Sequence, residues 1–110
     1  MKLPQDTIIS ERKLREYLLT PRREDDKSGY LALAGYSQIS WRQLETDLRR
    51  LVSYEDAGLI RTTQYGDMYE IKGRLTGPNG RVLNVSTFWI RLNANQETRF
   101  VTLVPDNKAR

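Results

Sequence analysis

The feature that most constrains the fold of this chain is a single change of hydrophobic period near Gly58. Before it, apolar residues recur at helical spacing, and after it they alternate as strands do. Such an order, helices first and strands after, predicts an α+β domain rather than an alternating parallel α/β fold. The helical half shows it best in Trp41, Leu44, Leu48, Leu51 and Val52, with Arg42, Glu45, Asp47, Arg49 and Arg50 on the other side. The strand half shows it best in Tyr69, Ile71, Gly73 and Leu75, interleaved with Glu70, Lys72 and Arg74.

Punctuation residues divide each half. Ser10 is placed to cap a first helix carrying Leu14, Tyr17 and Leu18 on one face, and Pro21 ends it. Ile8 and Ile9 before the cap fit a short strand or a hydrophobic staple. Asp25 or Asp26 would cap a second helix over Ser28–Ala34, with Gly35 closing it in a left-handed conformation. Ser40 and Gln43 suggest a capping box for the third, and Asp56-Ala57-Gly58 stops it. Strands are expected at Leu59–Gln64, Met68–Thr76, Arg81–Leu92 and Thr98–Val104. The turns between the last three are Gly77-Pro78-Asn79-Gly80 and Asn93–Gln96. The apolar parity of the third strand shifts near Ser86-Thr87, which suggests a bulge or burial on both faces. Short links favour an antiparallel meander, and only the helical stripes can cover one face of it. The expected architecture is about three N-terminal helices packed on a C-terminal four-stranded antiparallel sheet, in two layers. It forms one domain over 1–110: mainly helical 1–56, sheet 58–105 and a loose tail 106–110.

Composition removes whole chemistries. The chain has no cysteine and no histidine. Disulfides, Cys- or His-ligated metal, a thiol nucleophile and imidazole proton transfer are therefore excluded. No metal and no cofactor is expected. No glycine-rich phosphate loop, nucleophile elbow or paired-carboxylate motif is present. No apolar run has the length of a membrane span, and the start of the chain lacks a secretory pattern, so a cytoplasmic protein without a membrane partner is expected. Residues 1–60 hold ten Lys/Arg and ten Asp/Glu, whereas residues 61–110 hold eight and four, so the whole net charge of +4 sits on the C-terminal half. A basic sheet is the footprint of a polyanion or an acidic partner.

Several side chains stand out against blander readings. Lys27 begins the second helix beside Asp25 and Asp26; it could hold a phosphate or, as a solvated lysine, simply pair with its neighbours. Arg74, Arg91 and Arg99 lie on three successive strands, and with Lys72 they would bind phosphates if they shared a face. Otherwise they are an ordinary solvated surface. Glu70 could act as a base or neutralise the cations beside it. Tyr65, flanking Gly66, could stack on a base or transfer a proton, with Tyr69 as its partner or simply as core. Trp89 and Trp41 read as core or core edge, and Thr102 as a cross-strand hydrogen bonder.

The stretches Lys13-Leu14-Arg15-Glu16-Tyr17-Leu18-Leu19, Asp26-Lys27-Ser28, Ala34-Gly35-Tyr36, Tyr65-Gly66-Asp67-Met68-Tyr69, Thr76-Gly77-Pro78-Asn79-Gly80, Phe88-Trp89-Ile90 and Phe100-Val101-Thr102-Leu103-Val104-Pro105 together resemble an uncharacterised family of small bacterial domains of unknown function. The resemblance covers most of the chain. The helices-then-sheet order is in turn similar to the ribonuclease superfold shared by barnase, EndoU, colicin nucleases and RelE-type toxins. That likeness is one of fold, which by itself does not fix activity. Two functions follow as expectations. The first is a binding or regulatory module that presents Lys72, Arg74, Arg91 and Arg99 to RNA or to an acidic protein. The second is a small metal-independent ribonuclease of RelE-like toxin type, with Lys27, Tyr65, Arg74 and Arg99 as candidate catalytic residues. The branches of the superfold that depend on histidine cannot apply. A structural subunit, or a neutralising partner of a toxin, is a third possibility.

Overall fold

The structure is a computed structural model of the chain; it describes residues 1–21, 23 and 27–106. The helical half comprises α1 (Glu11–Lys13), a π-helical turn (Leu14–Leu18), α2 (Ser28–Ala32) and α3 (Trp41–Tyr54). The strands are β1 (Gly58–Thr62), β2 (Gly66–Thr76), β3 (Val82–Leu92) and β4 (Thr98–Pro105), forming one antiparallel sheet in the order β1-β2-β3-β4. The α+β meander is as the periodicity predicts. Among the described residues, no helix is long and apolar enough to cross a membrane.

One face of the sheet carries the core. Register pairs Tyr69 with Trp89, Ile71 with Thr87, Gly73 with Val85 and Leu75 with Leu83, and continues to Phe100 and Leu103 on β4. Directly opposed residues share a face. The helices bring Leu14, Leu18, Leu31, Leu44, Leu48, Leu51 and Val52 down onto them. Trp89 is fully buried and meets Phe100 edge-on, with ring centroids 5.1 Å apart. The other face shows Glu70, Lys72 and Arg74 on β2, Asn84, Phe88 and Ile90 on β3, and Arg99, Thr102 and Val104 on β4. Apart from Ser86, these positions are half-buried to exposed.

Several local expectations are corrected. The first helix is not a continuous α-helix. Ser10 does cap it, accepting from Lys13 N–H at 3.3 Å, but the turn after Lys13 widens and Leu19 N–H donates to Leu14 C=O at 2.9 Å. The second helix stops at Ala32, and Lys27 occupies its cap position; Asp25 and Asp26 lie outside the described residues. The Ser40–Gln43 capping box is absent, because Ser40 Oγ accepts from Ser37 N–H and Gln43 Nε2 donates to Asp47 Oδ1 at 3.0 Å. At Ser86-Thr87 the strand is buried on both faces, one of the two alternatives, and the register irregularity lies elsewhere. It falls at Phe88/Trp89, where β4 carries Val101 as an extra residue. Of Ile8 and Ile9, Ile8 makes the short strand, bridging β4 beside Arg99 in parallel. The loose tail lies outside the described residues except Asp106, whose N–H donates to Asn84 C=O at 3.0 Å.

The turn at Gly77-Pro78-Asn79-Gly80 does more than reverse the chain. Asn79 N–H donates to Ala34 C=O at 3.2 Å, and Asn79 Nδ2 donates to Leu33 C=O at 3.1 Å. The hairpin thus caps the carbonyl end of α2, where Gly35 adopts φ +90. Nearby, Tyr36 OH donates to the buried Asp47 carboxylate, tying that loop to α3. Burial, then the hydrogen bond and charge of Asp47, hold the Tyr36 phenol far above the ordinary tyrosine range.

Candidate functional site

The most unusual polar residue is Lys27, which is only 7% exposed. An ammonium withdrawn from water needs compensating partners. Tyr17 supplies two kinds: its hydroxyl accepts from Lys27 Nζ at 3.1 Å, and its ring centroid lies 5.3 Å from the same nitrogen. Lys13 Nζ stands 5.6 Å from that ring, so one tyrosine is flanked by two cations. The π turn holds this arrangement, since Tyr17 sits within Leu14–Leu18. Insertions of this kind alter the facing of a helix and are frequent at functional sites.

Tyr17 also lines an open cleft of about 400 Å³ with Ser10, Arg12, Lys13 and Glu16. Arg12 pairs with Glu16 at 3.2 Å, which leaves Lys13 as the cation of the cleft lining, with Lys27 behind the Tyr17 hydroxyl. On α2, one turn beyond Lys27, Tyr30 OH donates to Asn84 C=O at 2.7 Å. Burial raises the Tyr30 phenol above its ordinary pKa; the Asn84 hydrogen bond opposes this and the Asp106 charge adds to it. The arrangement can hold an anion against Lys13 and place a phenol proton beside it, with an ammonium behind the phenol oxygen. Among the described residues, no group of three acidic side chains is placed to hold a metal ion.

The other sequence candidates do not join this site, nor one another. Lys72 and Arg74 lie on the uncovered face at the Asn84 end of the sheet, whereas Arg99 is opposite Ile90 and bonded to Glu97 at 2.8 Å. Asn84 and Ile90 are six residues apart on β3, so Arg74 and Arg99 are separated by roughly 20 Å. Arg91 points to the opposite face, aligned with Asp67 and Thr98. Tyr65 is 68% exposed at the turn between β1 and β2, near the Arg99 end, while Tyr69 is core. Glu70 lies opposite Phe88, lining a shallow hollow with Lys72. Thr102 makes only a 3.5 Å contact with Leu103 C=O. What the sequence reasoning missed is Tyr17 and Lys13. The only hint was a tyrosine on a helical stripe, which reads as core.

Fold and site together define a small α+β domain with a buried lysine bonded to a half-buried tyrosine at the mouth of an open cleft. The chain belongs to the family described as domain of unknown function DUF6883, whose model matches residues 2–107. A comparison with curated proteins finds no similar sequence. Among solved structures, the fold is similar to a chain of a contact-dependent growth inhibition toxin–immunity protein complex from Klebsiella pneumoniae 342. That match has a TM-score of 0.70 and 17% identity, and covers 91% of this chain and 100% of the other.

Proposed function

We propose that this domain is a small metal-independent ribonuclease of toxin type, with Lys13, Tyr17 and Lys27 at its centre. The observation that carries the reading is the ammonium of Lys27 buried against the Tyr17 hydroxyl at a cleft edged by Lys13 and Arg12. The likeness in fold to a chain from a toxin–immunity complex supports it. RNA can cleave itself through its 2′-oxygen, so the protein need not supply a nucleophile. The 2′-hydroxyl proton leaves to water, the 2′-O–P bond forms, the P–O5′ bond breaks and O5′ takes a proton from Tyr17. Lys27 stabilises the phenolate that remains, and Lys13 holds the phosphate oxygens. The alternative, a non-catalytic module acting through a basic sheet face, narrows to Lys72 and Arg74, because Arg91 and Arg99 lie elsewhere.

The test is cleavage of total cellular RNA, with chelator present, by the wild-type domain and by Lys27→Ala and Tyr17→Phe. Cleavage should leave cyclic phosphate ends, and each variant should be slower by about 100-fold or more. Circular dichroism checks that both variants fold, and Tyr17→Phe, which keeps the ring, carries the test if Lys27→Ala does not fold. A folded wild-type domain that leaves RNA intact, or a Tyr17→Phe variant that cuts at full rate, refutes the proposal.

A further inference from the structure

β1 covers only part of the outer edge of β2. Their pairing runs from Thr62–Asp67 to Gly58–Glu70 and stops there. Which backbone groups face outward beyond that point follows from the ladder. Gly66 exchanges both backbone hydrogen bonds with Thr63 on the β1 side. Successive residues of a strand point their amides to opposite neighbours, so even-numbered residues of β2 face outward. Two contacts agree: Gly77 N–H donates inward to Arg81 C=O at 3.0 Å, and Thr76 C=O accepts from Tyr36 OH on the outer side at 3.3 Å. Lys72 and Arg74 therefore aim N–H and C=O groups outward, and among the described residues nothing bonds to them.

Beside this edge lies an open groove of about 550 Å³ between β2 and the end of α3, lined by Arg50, Leu51, Tyr54, Glu55, Gly73 and Arg74. Tyr54 is 74% exposed there. Lys72, Arg74 and Arg50 surround the edge, and among the described residues none of them makes an ion pair. Glu55 is the single acid of the groove, so the lining has an excess of positive charge.

We infer that the Lys72–Thr76 edge of β2 is a docking site for an extended, acidic segment of a partner protein, which adds to the sheet as a strand. The edge is about five residues long, roughly 16 Å. Backbone bonds to Lys72 and Arg74 supply affinity, and alternate side chains of the guest enter the groove or lie over the open face. Charge selects the guest. A second copy of this chain would bring Lys72 and Arg74 against their own like, which opposes pairing, whereas carboxylates complement them. The inference does not depend on the ribonuclease reading, as the groove and the Tyr17 cleft share no residue.

The probe is a short synthetic peptide alternating glutamate with valine, titrated into the full chain while backbone amides are followed by NMR. Saturable binding with hydrogen-exchange protection of the Lys72 and Arg74 amides is expected. The same peptide N-methylated on alternate amides should not bind, nor should a lysine–valine peptide. Arg50→Glu with Arg74→Glu should weaken binding by about tenfold or more, corresponding to two lost exposed charge pairs and the repulsion that replaces them. Lys27→Ala should bind the peptide as the parent does, so failure of the ribonuclease proposal leaves this one standing. Absence of binding, binding that ignores N-methylation or charge, or a concentration-dependent dimer that protects the same amides overturns it.

Discussion

Thr87→Val tests whether a polar residue in the middle of the core face is there for its oxygen. Thr87 is fully buried between Ile71 and Trp89; its Oγ1 donates to Ile71 C=O at 2.8 Å and accepts from Trp89 Nε1 at 2.8 Å. Valine keeps the branched shape and removes both bonds. The donated bond is worth about 1 kcal/mol net, and leaving the indole N–H buried without an acceptor costs about 1–3 kcal/mol more. The new methyl recovers about 1 kcal/mol of apolar burial, so the net loss is about 2 kcal/mol. In a domain of this size that lowers Tm by about 8 °C. A double-mutant cycle with Trp89→Phe isolates the mechanism, because phenylalanine has no N–H to orphan. The cost of Thr87→Val should then drop to about 1 kcal/mol or below, giving a coupling energy of about 1 kcal/mol or more. Urea unfolding followed by far-ultraviolet circular dichroism measures all four proteins. A single-mutant cost under about 0.5 kcal/mol, or equal costs in both backgrounds, refutes the argument.

Two glycines should respond in opposite senses to alanine. A Cβ at Gly77 would stand 2.1 Å from Ala34 C=O, so Gly77→Ala should cost at least about 2 kcal/mol by prising the hairpin from α2, whereas Gly29, with nothing within 4 Å, should gain about 0.5–1 kcal/mol in helix propensity; urea midpoints decide. High pH should loosen the Tyr36–Asp47 tie. The folded phenol is held above its unfolded pKa of about 10, so its contribution is complete below that pH and fades as pH rises beyond it. Tyr36→Phe should therefore lose less stability than the parent between about pH 9 and pH 11, and an equal loss in both would remove Tyr36 from the account.

The period change at Gly58 made the architecture legible, because burial of one stripe per element is a local property of sequence. The faces of the cations were harder. Arg91 is two residues from the fully buried Trp89, so parity alone puts it on the core side. Phe88 and Ile90 hid this by making both faces of β3 look apolar, while Thr87 made the core face look polar. Arg99 shares sequence parity with Leu103, yet the two point to opposite faces, since Val101 inserts a residue between them. A bulge reverses every inference drawn across it. Lys27 was visible as a candidate but not as a buried one. Its environment is made by Tyr17, ten residues away, through a π turn that a helical stripe of Leu14, Tyr17 and Leu18 does not announce.

Gly73 links the fold to the uncovered edge. On an alternating strand it reads as one core-facing position among Tyr69, Ile71 and Leu75, but the Leu51 side chain of α3 rests directly on it. A Cβ there would lie 2.6 Å from Leu51 Cδ2. With the end of α3 set down on β2 at that level, the chain leaving Tyr54 has only Glu55, Asp56 and Ala57 in which to drop from the helical layer to the sheet. It joins β2 at Glu70 and, among the described residues, leaves the edge beyond Glu70 without a paired strand. The missing side chain makes room for Leu51, and the short link from α3 sets where β1 begins. The groove walled by Leu51 and Tyr54 and the Lys72–Thr76 edge therefore lie side by side. A larger residue at position 73 would have to displace Leu51, and with it the wall against which a guest strand would lie.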